Sequence, residues 1–270
     1  MSRYCCMNDT TLIENLKAAE EEYAASPIGI REISKKYGFQ RQVFTGWLLA
    51  KGVPVENKRA LKSCDIHYFD SIDTEEKAYW LGFLFADGAV TQHKHSYNVE
   101  LSLKLEDKNH VEKFAKALKK DHVNSNSTYR SRCMLGSKHI FDVLSSYGCT
   151  PKKSLTLKFP DKSIFKDESL IRHFIRGYVD GDGCLSYADK KHSRANLSVL
   201  GTENFLNGIQ SYCGTNKKLY LNNKNNNTTK VLSLSGKNAF AFADYLYRDS
   251  TIYLDRKYKK YLEYCRLYQE

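Results

Sequence analysis

Apolar residues recur first at helical spacing: Leu12, Ile13, Leu16, Ala19 and Tyr23 mark an acidic helix over 10–25, which Ser26-Pro27 ends. Two shorter periodic runs follow, 30–37 and 40–50, with Gly38 as the turn between them and Phe44, Trp47 and Leu48 on one face of the second. A packing helix, a Gly-containing turn and a second helix form the rhythm of a helix-turn-helix, whose second helix offers its first exposed residues to a major groove. Residues 52–62 carry Pro and charge without a period and predict a linker. Beyond them the period switches between 2 and 3.6. Two strands fall within 89–105, the second placing Val99, Leu101, Leu103 and Leu105 on one face. A helix over 107–119 buries Val111, Phe114, Ala115 and Leu118, a polar strand pair falls within 122–135, and a helix over 137–147 closes the unit. Strands within 184–200, a helix over 202–213, strands at 218–222 and 229–235 and a helix over 237–247 repeat the same order.

Each unit is preceded by a helix that ends in Asp-Gly. Residues 80–88 read WLGFLFADG and residues 175–183 read IRGYVDGDG, 95 residues apart. In both copies a Gly (Gly82, Gly177) stands five residues before the last Asp (Asp87, Asp182). Gly inside a helix costs about 1 kcal/mol relative to Ala, and close approach of a second helix compensates for it. The two copies are therefore expected to pack against each other and to end together. A helix C-terminus carries partial negative charge, so two such ends each bearing a carboxylate call for a cation, and oxygen ligands favour a hard divalent one such as Mg²⁺. The simpler alternative is that Gly88 and Gly183 merely stop each helix as left-handed caps. Two copies at domain spacing, both with the interior Gly, argue against it. The fold class is α+β: two pseudo-symmetric αββαββα halves forming a saddle of antiparallel sheets, plus a small all-α helix-turn-helix unit. The expected domains are 1–53 (helix-turn-helix), 54–66 (linker), 67–160 (first half) and 161–270 (second half).

The formal net charge of +11 over 270 residues makes a polyanion the natural partner. No signal-peptide pattern and no bilayer-length apolar run occur, which predicts a soluble intracellular protein with no membrane partner. The eight cysteines contain no pair at two-residue spacing. Cys64 with His67, and His93 with His95, come nearest to metal-ligand spacing, but neither has a second pair to complete four ligands, so the cysteines read as reduced thiols. Residues 28–62 hold eight Lys or Arg against two Glu, which suits phosphate contact. The candidate DNA-binding residues are Gln40, Arg41, Gln42 and Thr45 on the recognition helix and Lys58, Arg59 and Lys62 in the linker. On the sheets they are Gln92, Lys94, Lys104, Arg130 and Arg132 in the first half, with Tyr187, Lys190, Lys191, Arg194, Asn196, Lys218, Tyr220, Asn222 and Lys230 in the second.

The motif copies, their spacing and the repeated order of elements resemble the LAGLIDADG homing endonucleases in their single-chain, two-motif form, over residues 66–270. The resemblance implies that the motif helices form the central interface and that Asp87 and Asp182 bind the catalytic metals, with the carbonyls of Ala86 and Gly181 as further ligands. It implies basic residues near the scissile phosphates, for which Lys153 and Lys257 are the candidates, with Lys152 and Arg256 as alternatives. It also implies Mg²⁺, with Mn²⁺ as a substitute and Ca²⁺ supporting binding without cleavage. The expected activity of the monomer is cleavage of a long asymmetric double-stranded DNA across its minor groove, leaving 3′ overhangs, in the service of intron homing. The first copy departs from the family pattern: Phe85 stands where an earlier Asp often sits, while the second copy keeps Asp180. Two other readings remain open, an RNA maturase bound to its host intron RNA and a catalytically silent transcription regulator. Retention of both motif aspartates favours cleavage.

Overall fold

The computed structural model describes residues 9–26, 28–55, 64–94, 96–120, 123, 129–214, 216–222 and 229–269. The linker candidates Lys58, Arg59 and Lys62 lie outside them. The first three helices, α1 (Asp9–Ala25), α2 (Ile30–Lys36) and α3 (Arg41–Ala50), close around their own small core of Leu16, Ala19, Tyr23, Ile30, Ile33, Phe39, Phe44 and Leu48. Gly38 takes a φ of +76° in the turn between α2 and α3, a conformation that costs glycine little.

The second, larger core is built on two motif helices, α4 (Glu75–Asp87) and α7 (Ile171–Asp182). Thr74 caps α4 by accepting from the Lys77 amide at 3.3 Å. Every residue of α4 from Ala78 to Phe85 is buried, as is almost all of α7 from Ile171 to Asp180, so both helices run through the interior rather than lying on it.

After α4 come β1 (Gly88–His93), β2 (Ser96–Lys104), α5 (Lys108–Ala117), β3 (Arg130–Leu135) and α6 (Lys138–Ser146). The strands form an antiparallel sheet in the order β1-β2-β3, with α5 and α6 packed on its apolar face. Val99, Leu101 and Leu103 are buried as their alternation requires; Leu105 has left the strand for a 3₁₀ turn and is 45% exposed. The other strand expected within 122–135 falls on residues of which only 123 and 129 are described.

The second half repeats the order with β4 (Gly183–Tyr187), β5 (Ala195–Gly201), α8 (Glu203–Gln210), β6 (Tyr220–Leu221), β7 (Lys230–Ser235) and α9 (Lys237–Tyr247). Its sheet runs β4-β5-β7-β6, antiparallel throughout. Thr202 and Ser137 sit just outside α8 and α6 as side-chain caps, which places each helix start one residue later than the periodicity suggests. A further helix, α10 (Asp255–Gln269), packs on α9 and β4 and has no equivalent in the sequence-based expectation.

Arg176 on α7 is fully buried and fully partnered. It meets Glu75 at 2.7 Å, the carbonyls of Ile252 and Leu246 at 3.0 Å each and His173 Nδ1 at 2.7 Å, tying both motif helices to the last turn of α9 and the segment after it. A buried guanidinium is tolerated only when its donors are used in this way.

Candidate active site and nucleic-acid interface

The two motif helices meet through their glycines. A Cβ on Gly82 would fall 1.9 Å from the Phe174 carbonyl oxygen, and one on Gly177 would fall 2.0 Å from the Tyr79 carbonyl oxygen. No side chain fits at either position, so the interior glycines are explained by backbone contact. Lower on the seam, a Cβ on Gly181 would stand 2.3 Å from that of Ala86 and 3.4 Å from Asp87 Oδ2. Gly88 (φ −72°, ψ 143°) and Gly183 (φ −93°, ψ 167°) are extended, not left-handed caps. They are glycine because a Cβ would strike the carbonyl oxygens of Leu84 and Val179, each at 2.5 Å, as the chain turns directly from helix into strand.

The pseudo-two-fold relation is broken in a specific way. On one side of the seam Tyr79 donates to Asp180 Oδ2 at 2.7 Å, and on the equivalent other side Phe85 packs edge-on against Phe174 at 5.1 Å. Asp180 also accepts from Tyr247 at 2.6 Å and from the Leu254 amide at 2.7 Å, so it is a buried, fully hydrogen-bonded structural carboxylate.

Asp87 and Asp182 end the helices side by side and sense one another electrostatically. Asp87 opens to solvent and Asp182 is half-buried. The Asp182 carboxyl is pushed up to about 6 by burial and by the charge of Asp87, against the pull of Lys153 and Lys257. Asp87 is raised too, chiefly by desolvation where its helix end sinks into the seam, with Lys257, Lys153, Arg256 and Arg130 opposing. Tyr178 reaches Asp182 as well as donating to the Leu200 carbonyl at 2.9 Å, whereas its counterpart by motif register, Phe83, has no polar atom to offer Asp87.

Both candidate lysines lie at this point, and both are buried, Lys153 at 8% and Lys257 at 4% exposure. Lys153 Nζ donates to the Ala86 carbonyl at 3.2 Å and to that of Gly88. Lys257 Nζ meets the carbonyls of Val179 (2.7 Å), Asp180 (2.6 Å), Gly181 (3.4 Å) and Gly183 (2.7 Å). Ala86 and Gly181, and likewise Gly88 and Gly183, occupy the same register in the two motifs, so each lysine caps its own motif helix in the same way. The cations complement the negative helix ends that the aspartates aggravate. Of the alternatives, Arg256 pairs with Asp107 at 3.2 Å while its charge still reaches Asp87, and Lys152 is exposed.

Strand alternation sorts the sheet candidates. Lys104, Arg130 and Arg132 share the open face of the first sheet with Thr91, His93, Asn98, Glu100 and Ser102, where Glu100 and Arg132 pair at 3.0 Å. Thr91, His93, Asn98, Glu100 and Ser102 were not among the expected contacts, although the same alternation points to them. Gln92 differs from expectation: it shares the face of buried Val90 and reaches Tyr97 on the helix side at 3.4 Å. Two residues of the second sheet differ for the same reason. Tyr187 follows Leu185 to the helix side and donates to Glu263 on α10 at 2.8 Å, and Lys230 follows Leu232 and lies 3.8 Å from Glu203 on α8.

The open face of the second sheet carries Cys184, Ser186, Asn196, Ser198, Leu200, Tyr220, Val231, Ser233 and Ser235, so it presents hydroxyls with a small apolar patch and no charge. Asn222 follows Tyr220 at the end of β6, its amide paired with the Thr229 carbonyl at 3.0 Å. The basic candidates ring the edges. Lys190, Lys191 and Arg194 lie exposed in the β4–β5 turn, Lys218 just before β6, and Lys94 in the β1–β2 turn. On α3, Arg41 and Gln42 are exposed and Thr45 is half-buried, with Gln40 exposed at its N-cap.

No protein-family model matches the chain, and no curated protein matches it. Among solved structures it is similar to the LAGLIDADG meganuclease I-AabMI bound to uncleaved DNA, at 12% identity, 71% coverage of this chain and 89% of that one, and a TM-score of 0.48. It is similar also to the LAGLIDADG homing endonuclease I-LtrWI bound to target DNA (12% identity, 76% and 92% coverage, TM-score 0.47). A third is I-SmaMI bound to uncleaved DNA in the presence of calcium ions (11% identity, 70% and 89% coverage, TM-score 0.44). In its glycine seam, its paired Asp-Gly helix ends and the repeated order of its elements, the chain resembles the LAGLIDADG homing endonucleases.

Proposed function

We propose that this protein is a site-specific, divalent-metal-dependent DNA endonuclease of the homing type, which hydrolyses one phosphodiester on each strand across the minor groove of a long asymmetric duplex. The observation that carries the reading is the meeting of Asp87 and Asp182 at the foot of the glycine seam, each beside a buried lysine that caps the same helix end. The donor set fits a hard cation such as Mg²⁺: two carboxylates that repel one another, with the carbonyl oxygens of Ala86 and Gly181 adjoining. When bound there, Mg²⁺ or Mn²⁺ would supply Lewis-acid polarisation of a phosphoryl oxygen and activation of water.

The chain's own residues do the rest. Asp87 and Asp182 would hold and orient the ion and offer one carboxylate toward each strand. Lys257, spread over four carbonyls, and Lys153, over two, would stand beside the scissile phosphates as positioned donors, and burial pulls the Lys257 ammonium down to about 8. The open-face residues Lys104, Arg130 and Arg132 and the basic turns would hold the phosphate backbone, and the hydroxyl-rich second sheet would read base edges. Bending DNA onto the two carboxylates costs several kcal/mol and discriminates among central base pairs by their deformability.

The test begins with duplexes enriched from a randomised pool by binding in Ca²⁺, then challenged with Mg²⁺. The parent should cut both strands. Asp87→Asn and Asp182→Asn should bind as tightly but lose at least ~10²-fold in rate on one strand or both, and Lys153→Met or Lys257→Met should slow the strand each lysine adjoins. Enriched duplexes that Mg²⁺ and Mn²⁺ leave intact would overturn the reading.

A further inference from the structure

Two histidines and an aspartate converge at the opposite end of the first motif helix from Asp87. His67 Nδ1 lies 2.7 Å from Asp70 Oδ2, His139 Nε2 lies 2.6 Å from Asp70 Oδ1, and the two imidazole centroids are 4.6 Å apart. One ligand atom from each residue falls within 4.8 Å of the others. His67 and Asp70 precede α4 and His139 is brought to them from α6, so the length of α4, roughly 18 Å at 1.5 Å per residue, separates the cluster from the aspartate pair. It is therefore no part of the proposed DNA-cleaving site.

We propose that His67, Asp70 and His139 form a transition-metal site that clips the segment before the first motif helix to α6. The ligand chemistry decides the class of ion. Two imidazoles and one carboxylate suit Zn²⁺, Co²⁺, Ni²⁺ or Cu²⁺, whereas Mg²⁺ and Ca²⁺ prefer an all-oxygen shell. Three protein ligands also leave positions for water, and the exposure of the side chains, 66%, 40% and 37%, leaves that side open. Around a tetrahedral ion with bonds near 2.0–2.1 Å, neighbouring ligand atoms stand about 3.3 Å apart. The present nitrogen–oxygen contacts of 2.7 and 2.6 Å would open by about 0.6–0.7 Å, and ligand atoms now up to 4.8 Å apart would close by up to about 1.5 Å, both through rotations of exposed side chains.

The backbone beneath is already fixed. Tyr147 donates to the carbonyls of Phe69 (3.0 Å) and Asp70 (3.3 Å), Phe69 is buried in the core, and the Lys166 amide donates to the Ile72 carbonyl at 2.9 Å.

The experiment is calorimetric titration of Zn²⁺ into the purified full chain with Mg²⁺ in excess, paired with melting curves and with Co²⁺ absorption. One Zn²⁺ per chain is expected, with a melting temperature raised by roughly 5–10 °C at 100-fold excess over Kd, and a Co²⁺ spectrum of ligand-field bands without thiolate charge transfer. His139→Gln and Asp70→Asn should each weaken Zn²⁺ binding at least ~10-fold, while Asp87→Asn with Asp182→Asn leaves the stoichiometry unchanged. His67→Gln reads the same site if Asp70→Asn fails to fold. Absence of binding, undiminished binding in the histidine variants, or a Co²⁺–thiolate band placing the ion on a cysteine would each overturn the proposal.

Discussion

At the scale of single residues, Asp182 is held against its own charge. Its carboxyl is displaced from 3.8 to about 6 by burial and by Asp87, which corresponds to roughly 2–3 kcal/mol at neutral pH. The folded value lies above the unfolded one, so the native state binds the extra proton between about pH 4 and 6. The cost to the fold is absent below that window and complete above it. Asp182→Asn should therefore melt about 5 °C above the metal-free parent at pH 7.5, and the difference should vanish toward pH 4. Comparison with the parent isolates the effect, because His110, pushed down to about 3 by burial, lowers stability below pH 6.5 in both proteins. Mg²⁺ should raise the melting temperature of the parent and narrow the gap. A variant no more stable than the parent would show that the aspartates do not strain one another. The motif spacing singled out both aspartates, and the family resemblance offered both lysines as candidates. Neither showed that the lysines are buried on helix-end carbonyls, since that contact joins Lys153 to Ala86 and Lys257 to Val179 across long stretches of chain.

At the scale of elements, the seam between α4 and α7 distinguishes its two sides. Tyr79 with Asp180 is polar, and the equivalent Phe174 with Phe85 is aromatic, so neither half is complementary to a second copy of itself. Pairing two second halves would set Asp180 against Phe174, leaving the buried carboxylate its bonds from Tyr247 and Leu254 but without the one from Tyr79. Phe85→Asp should cost at least ~3 kcal/mol, and Phe85→Asp with Phe174→Tyr should regain 1 kcal/mol or more, as about one restored hydrogen bond to a charge. Denaturant melts of the double-mutant cycle measure this, and strict additivity would contradict it. The departure of Phe85 from the motif was legible in the sequence, but its aromatic partner was not, because periodicity marks a buried face without saying what covers it. The helix α10 escaped notice although Tyr258, Tyr261, Tyr264, Cys265 and Tyr268 follow helical spacing. Tyrosine reads as neither clearly apolar nor clearly polar, and only the structure shows Tyr264 fully buried with its hydroxyl on the carbonyls of Ser186 and Asn196, the latter at 2.7 Å.

At the scale of the whole molecule, a net charge of +11 surrounds a small acidic centre. The 95-residue repeat made the two halves readable in advance, because each must bury the same strands under the same helices. The assignment of contacts was less readable. Gln92, Tyr187 and Lys230 turn to the helix side because strand parity follows buried Val90, Leu185 and Leu232, which outranks side-chain chemistry. The three N-terminal helices have their own core and present Arg41 and Gln42 to solvent. If α3 enters a major groove, Arg41→Ala should reduce the slope of log affinity against log salt by about 0.9 when Arg41 contacts phosphate, and Gln42→Ala should relax base preference on one side of the footprint by roughly 1–3 kcal/mol. Unchanged slope and footprint would remove that unit from the interface.

The central claim is that one composite centre cuts both strands, and strand-resolved cleavage tests it most directly. An enriched duplex labelled separately at each 5′ end, incubated with Mg²⁺, should give one product per strand with a short stagger across the minor groove, and none from the chain carrying both Asp87→Asn and Asp182→Asn. Metal-dependent cleavage that survives in the double variant would place the chemistry elsewhere and contradict the account.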